Sequence, residues 1–283
     1  MKLNIQTFIG CESSFDDARA VIFGAPFDGT TSFRPGTRFG PQAMRAESFG
    51  IETYSPYQNR DLEDIAVFDA GDLDFPFGNT EAVLDMIEAR TEEILDAEKI
   101  PVMLGGEHLV TLGAMRAMVR KYPNLHIIHF DAHTDLRDDY LGEKLSHASV
   151  IRRCWELVGD GRIHQFGIRS GERAEFDFAA LHTDFHPFNT RAVLEAAMQL
   201  GDEVPVYVTL DLDVLDPSLF CGTGTPEAGG ILFGELEEAL LTLEALNVVG
   251  FDINELSPHY DASGTSTAVA CKVLREMLLA YVK

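Results

Sequence analysis

Short β-branched and aromatic runs alternate with longer stretches of helical apolar spacing along the chain. The runs Ala20–Phe23, Ile65–Phe68, Pro101–Leu104, His126–Phe130, Ile163–Ile168, Val206–Leu210 and Val248–Ile253 predict strands. Helices are predicted over Thr80–Glu98, Leu109–Lys121, Ala148–Leu157, Thr190–Leu200, Phe233–Leu246 and Thr265–Tyr281, with Asn79 and Asn189 as caps ahead of two of them. This alternation predicts an α/β fold, a mostly parallel sheet with helices on both faces. No repeat or linker-like shift in composition interrupts it, so a single domain over residues 1–283 is expected. Sheets of this kind hold ligands in the crevice beyond the carboxyl ends of their strands. Four polar clusters fall there. Leu104 leads into Gly105-Gly106-Glu107-His108, and Phe130 into Asp131-Ala132-His133-Thr134-Asp135; Leu210 leads into Asp211-Leu212-Asp213, and Ile253 into Asn254-Glu255.

Composition narrows the partners. With 46% hydrophobic and 24% charged residues the chain has ordinary globular content. A formal net charge of −24 excludes a nucleic-acid surface and favours small cations. No apolar run is long enough to span a bilayer, and the N-terminus lacks a signal-peptide pattern, so no membrane partner and a cytoplasmic location are expected. The four cysteines, Cys11, Cys154, Cys221 and Cys271, are scattered and read as reduced thiols.

An extended chain sends residues i, i+2 and i+4 to one side, so Asp131, His133 and Asp135 can converge. Alone, that stretch reads equally well as a strand running into a polar turn. Asp211 and Asp213 repeat the spacing on a second strand, and His108 follows two glycines able to turn the chain sharply. Four carboxylates and two imidazoles exceed the needs of one structural zinc. An oxygen-rich set with some nitrogen suits two adjacent ions such as Mn²⁺, bridged by shared carboxylates.

These residues resemble the ureohydrolase family of arginases and agmatinases over nearly the whole chain. Gly24-Ala25-Pro26-Phe27-Asp28 with Arg34-Pro35-Gly36-Thr37-Arg38-Phe39-Gly40-Pro41 is similar to the family's N-terminal signature. Gly105-Gly106-Glu107-His108, the Asp131–Asp135 stretch, and Asp211-Leu212-Asp213 with Asp216-Pro217 are similar to its three metal motifs. The resemblance implies the three-layer α/β/α arginase fold, two Mn²⁺ per chain, a homotrimer or hexamer, and hydrolysis of a guanidino group to urea and an amine. It implies one ion on His108, Asp131, Asp135 and Asp211, and another on Asp131, His133, Asp211 and Asp213, with Asp131 and Asp211 as bridges. His147 matches the family's proton-shuttling histidine, with an unperturbed pKa of about 6.5 suited to that work. Glu255 matches the acid that pairs with guanidinium, and Thr225 would line the same pocket. One position departs from the pattern: Cys221 stands where a proline commonly precedes Gly222.

The loop Leu136–Leu145 is short and lacks the asparagine and serine with which arginases grip an amino-acid head, and Gly167-Ile168-Arg169-Ser170 lacks their following aspartate. The pattern is closer to agmatinase, whose dicationic substrate would find an acid at the pocket mouth in Asp138, Asp139 or Glu172. Guanidinobutyrase or arginase specificity and a silent metal-binding relative are the alternatives. A dinuclear phosphoesterase ranks last, because no basic group is expected near the ligands to clamp a phosphate.

Overall fold

The structure is a computed structural model and describes residues 6–283. Eight strands form one all-parallel sheet: β1 (Ala20–Ala25), β2 (Val67–Asp72), β3 (Ile100–Gly105), β4 (His126–Phe130), β5 (Ile163–Phe166), β6 (Asp184–His186), β7 (Pro205–Asp211) and β8 (Asn247–Asn254). Their order across the sheet is β2-β1-β3-β8-β7-β4-β5-β6. The helices are α1 (Gly40–Glu47), α2 (Thr80–Asp96), α3 (Val110–Lys121), α4 (Val150–Val158), α5 (Arg173–His182), α6 (Val193–Leu200), α7 (Phe233–Thr242) and α8 (Thr265–Tyr281).

Successive strand residues point to opposite faces, which splits the core in two. Ala20, Ile22, Ile128, Val208 and Leu210 pack with α1, α6, α7 and α8. Val21, Phe23, Ile127, Ile163 and Tyr207 pack with α2, α3 and α4. The result is the expected three-layer α/β/α arrangement. All seven predicted strands and six predicted helices are present; His126–Phe130 and Thr265–Tyr281 keep their predicted bounds and the others have shifted ends. Asn79 caps α2 through its side chain, which accepts the Ala82 amide at 3.1 Å. Asn189 does not cap α6; it accepts the Arg191 amide in a turn ahead of that helix, which starts only at Val193.

Three elements of the main sheet and its flanking helices lacked a sequence signal, as did a short two-stranded sheet of Tyr54–Ser55 and Arg60–Asp61. β6 is a three-residue edge strand of polar composition. α5 buries only Glu175 and Ala179, so it has almost no apolar stripe to reveal it. α1 opens on Gly40-Pro41, where proline fits the first helical turn but reads as a breaker in sequence.

Candidate active site

The strand order sets β3, β8, β7 and β4 side by side, so the four polar clusters meet at one edge of the sheet. The neighbouring strands β3 and β8 send their helices, α3 and α8, to opposite faces of the sheet, which opens a crevice there. The two glycines before His108 serve close approach, not the sharp turn expected from sequence. Neither has a positive φ. A Cβ on Gly105 would lie 1.8 Å from Asn254 Oδ1, and one on Gly106 would lie 2.0 Å from the Phe27 carbonyl oxygen. Two site residues carry strained backbone instead: Asp135 at φ 52 and Glu255 at φ 68, both left-handed and neither a glycine.

Two overlapping groups of donor atoms result. His108 Nδ1 lies 3.1 Å from Asp131 Oδ2, 3.3 Å from Asp135 Oδ2 and 3.5 Å from Asp211 Oδ2. His133 Nδ1 lies 3.4 Å from Asp131 Oδ1 and 3.0 Å from Asp213 Oδ2. Asp131 thus turns one oxygen to each group. Asp211 turns Oδ2 to the first, while its Oδ1 accepts the Asp213 amide at 2.8 Å. Atoms bound about 2.1 Å from one ion sit roughly 3.0–3.4 Å apart, so these spacings suit divalent cations. Electrostatics agree. Burial and then the charge of Asp131 push Asp135 up to about 7. Burial with the charges of Asp213 and Asp131 raises Asp211 well above the carboxylate range. Burial also acts on Asp131, but hydrogen bonds with His108, His129 and His133 hold it well below that range. Carboxylates crowded this closely call for positive charge among them.

The ring nitrogen of His108 that faces away from the acids is held from below. Nε2 is 2.8 Å from Thr209 Oγ1, whose hydroxyl donates to Asp252 at 2.6 Å. Nδ1 is thereby left with its lone pair toward the carboxylates. Glu107 plays a comparable part on the other side. Fully buried, and pushed up to about 7 by burial, it accepts from the Thr30 amide, the Thr30 hydroxyl and the Thr31 hydroxyl. Thr30 Oγ1 in turn accepts the His147 amide at 3.0 Å, and Ser32 Oγ is 3.2 Å from His147 Nε2. Burial lowers the His147 pKa to about 4, so the unperturbed imidazole expected from sequence is not what the fold provides. Thr209, Asp252 and Thr30 carry no motif of their own, and Glu107, although inside the Gly105–His108 motif, has no expected role there to flag it.

His133, Asp135, Asp211, His147, Thr225 and Glu255 line one cleft, with His108, Asp131 and Asp213 buried behind them. Glu255 Oε1 accepts the His108 amide at 2.7 Å, and Thr225 Oγ1 lies 3.4 Å from Asp213 Oδ2. Burial, followed by the charge of Glu107, raises Glu255 well above its usual range. Of the three acids expected at the mouth only Glu172 lines the cleft. Asp138 pairs with Arg153 at 3.1 Å, and Asp139 accepts the Gly142 amide. One basic group does line the cleft, contrary to expectation. Arg137 lies over the Tyr140 ring and is paired with Glu172 at 3.2 Å and Glu175 at 3.5 Å, so its charge is already answered. Cys221 is exposed, 3.8 Å from the Tyr260 carbonyl oxygen, and touches none of these groups.

The sequence model of the arginase family matches residues 18–280. The chain belongs to the arginase family. An agmatinase of Bacillus cereus is 47% identical over 281 residues, covering 98% of this chain and 97% of that protein. The crystal structure of a candidate agmatinase from Clostridium difficile superposes with a TM-score of 0.92 at 47% identity, covering 95% of this chain and 99% of that one. The agmatine ureohydrolase of Thermoplasma volcanium superposes at 0.90 with 32% identity, covering 98% and 94%. In this arginase-family fold the two His/Asp groups frame a binuclear metal centre. No helix among the described residues is long and apolar enough to cross a membrane.

Proposed function

We propose that this arginase-family chain hydrolyses agmatine to urea and putrescine with two Mn²⁺ ions. His108, Asp131, Asp135 and Asp211 would hold one ion, and Asp131, His133, Asp211 and Asp213 the other. The observation that carries the reading is Glu255, a buried carboxylate in the cleft wall, fixed by the His108 amide beside both groups. A planar guanidinium meets such a carboxylate through paired hydrogen bonds. Divalent ions held there supply positive charge that acidifies water and steadies developing negative charge. Glu255 and Thr225 orient the guanidinium in the cleft. His147 faces the same space, its ring held by the hydroxyls of Thr30 and Ser32. With a pKa near 4 it stands neutral at neutral pH, and would take a proton from the attacking water and pass it to the departing amine.

The agmatine assignment is supported by the relatives named agmatinase and by Arg137. An anionic tail would need a free cation at the mouth, and Arg137 is engaged by two glutamates. The same reading makes residues 1–283 one ureohydrolase domain of a cytoplasmic homotrimer or hexamer. Leu194 and Met198, one turn apart on α6, are exposed apolar residues of the kind an interface covers. Urea release from agmatine, arginine and 4-guanidinobutyrate with Mn²⁺ present tests the specificity. Agmatine should be the preferred substrate; a clear preference for either other compound overturns the agmatine assignment and leaves the family intact.

A further inference from the structure

His129 is buried inside β4, between Ile128 and Phe130. Its ring lies close enough to His108 and Asp131 to pass for a third ligand in their group. The hydrogen bonds around it say otherwise. Gln165 on β5 places its amide nitrogen 3.0 Å from the Thr134 carbonyl oxygen and 3.1 Å from His129 Nδ1. A carbonyl oxygen can only accept, so the amide cannot be turned the other way, and its second hydrogen points at Nδ1. Nδ1 is therefore the accepting nitrogen, and the ring proton sits on Nε2. From there it is donated to Asp131 Oδ2 across 2.9 Å. One lone pair is taken by the amide and the other nitrogen carries the proton, so neither is left for a metal ion.

We propose that Gln165 and His129 are positioning residues for Asp131. The amide selects the imidazole tautomer, and the imidazole pins Oδ2. Meanwhile the His133 amide pins Oδ1 at 2.6 Å, so that each oxygen faces one group. The assignment rests on the metal-centre reading above. Partners that orient a ligand in this way typically contribute 10–100-fold in metal affinity.

Two measurements test it. In protein labelled with ¹⁵N-histidine and loaded with diamagnetic Zn²⁺, His129 should give the neutral Nε2-protonated signature; the Nδ1-protonated form would overturn the proposal without any variant. Mn²⁺ titration of wild type, Gln165→Glu and His129→Gln is the second. Gln165→Glu offers an acceptor where the amide donated, draws the ring proton to Nδ1 and faces Asp131 with a bare nitrogen. It should bind two ions with about 10–100-fold lower affinity. His129→Gln keeps a donor near Asp131 and should retain both ions with a smaller loss, whereas loss of a true ligand would leave one ion per chain. Wild type that binds no pair of ions sinks the metal-centre reading and this proposal together. Wild type with two ions and an unweakened Gln165→Glu sinks the positioning role alone.

Discussion

At the scale of the residue, the two donor groups depend on Asp131. Among the described residues, its oxygens are the only carboxylate pair that reaches both His108 and His133, at 3.1 and 3.4 Å. Asp131→Asn removes a charge from both groups and should lower bound metal and turnover together. Elemental analysis beside urea release checks this, and undiminished turnover at full metal loading would refute the bridging role. His147 differs because its neighbours are hydroxyls, not ligands. His147→Asn should keep both ions and lose roughly 10²–10⁴ in kcat. A variant with near-wild-type turnover would return His147 to an ordinary loop histidine.

At the scale of the element, periodicity was a good guide wherever burial imposed it. The strands of the middle sheet are buried on both faces, read as continuous apolar runs, and were placed within a residue or two at most ends. β6 and α5 bury too little to leave a pattern. In the site the residues that meet were legible from their two-residue spacing. A pleated strand is not what brings them together: the strand ends at Phe130, Asp135 is left-handed at φ 52 and Asp213 lies in a turn of 3-10 helix. Their supports were not legible. Thr209 and Asp252 sit on β7 and β8, a hydrogen bond apart across the sheet but 43 positions apart in the chain. Glu107 likewise works through a loop 77 residues away. Such pairings appear only once the strands are in register. The β3–α3 connection shows how little room this leaves. Gly106→Ala would drive a methyl into the Phe27 backbone and disturb the bond from the Glu107 amide to the Phe27 carbonyl. We expect a loss of about 1–3 kcal/mol in stability by chemical denaturation, with reduced metal affinity. Wild-type values for both would show that the loop yields freely.

At the scale of the whole molecule, 46 acidic against 22 basic residues make an attractive field for a cationic substrate. Salt shortens its reach, from about 30 Å at 0.01 M to about 10 Å at 0.1 M. KM for agmatine should therefore rise a few-fold across that range while kcat holds steady. A KM indifferent to salt would confine the recognition to contacts inside the cleft.

The sheet order has a consequence for how the protein comes into being. β8 is the last strand in the chain, yet it lies between β3 and β7. Before it docks there are two fragments, β2-β1-β3 carrying His108, and β7-β4-β5-β6 carrying the other five proposed ligands. Domains emerge from the ribosome amino end first, so a nascent chain has no complete cradle until Asn247–Asn254 has been made and inserted. Under the proposed metal assignment, a chain broken off before that strand lacks the junction of the two fragments and should not hold the pair of ions.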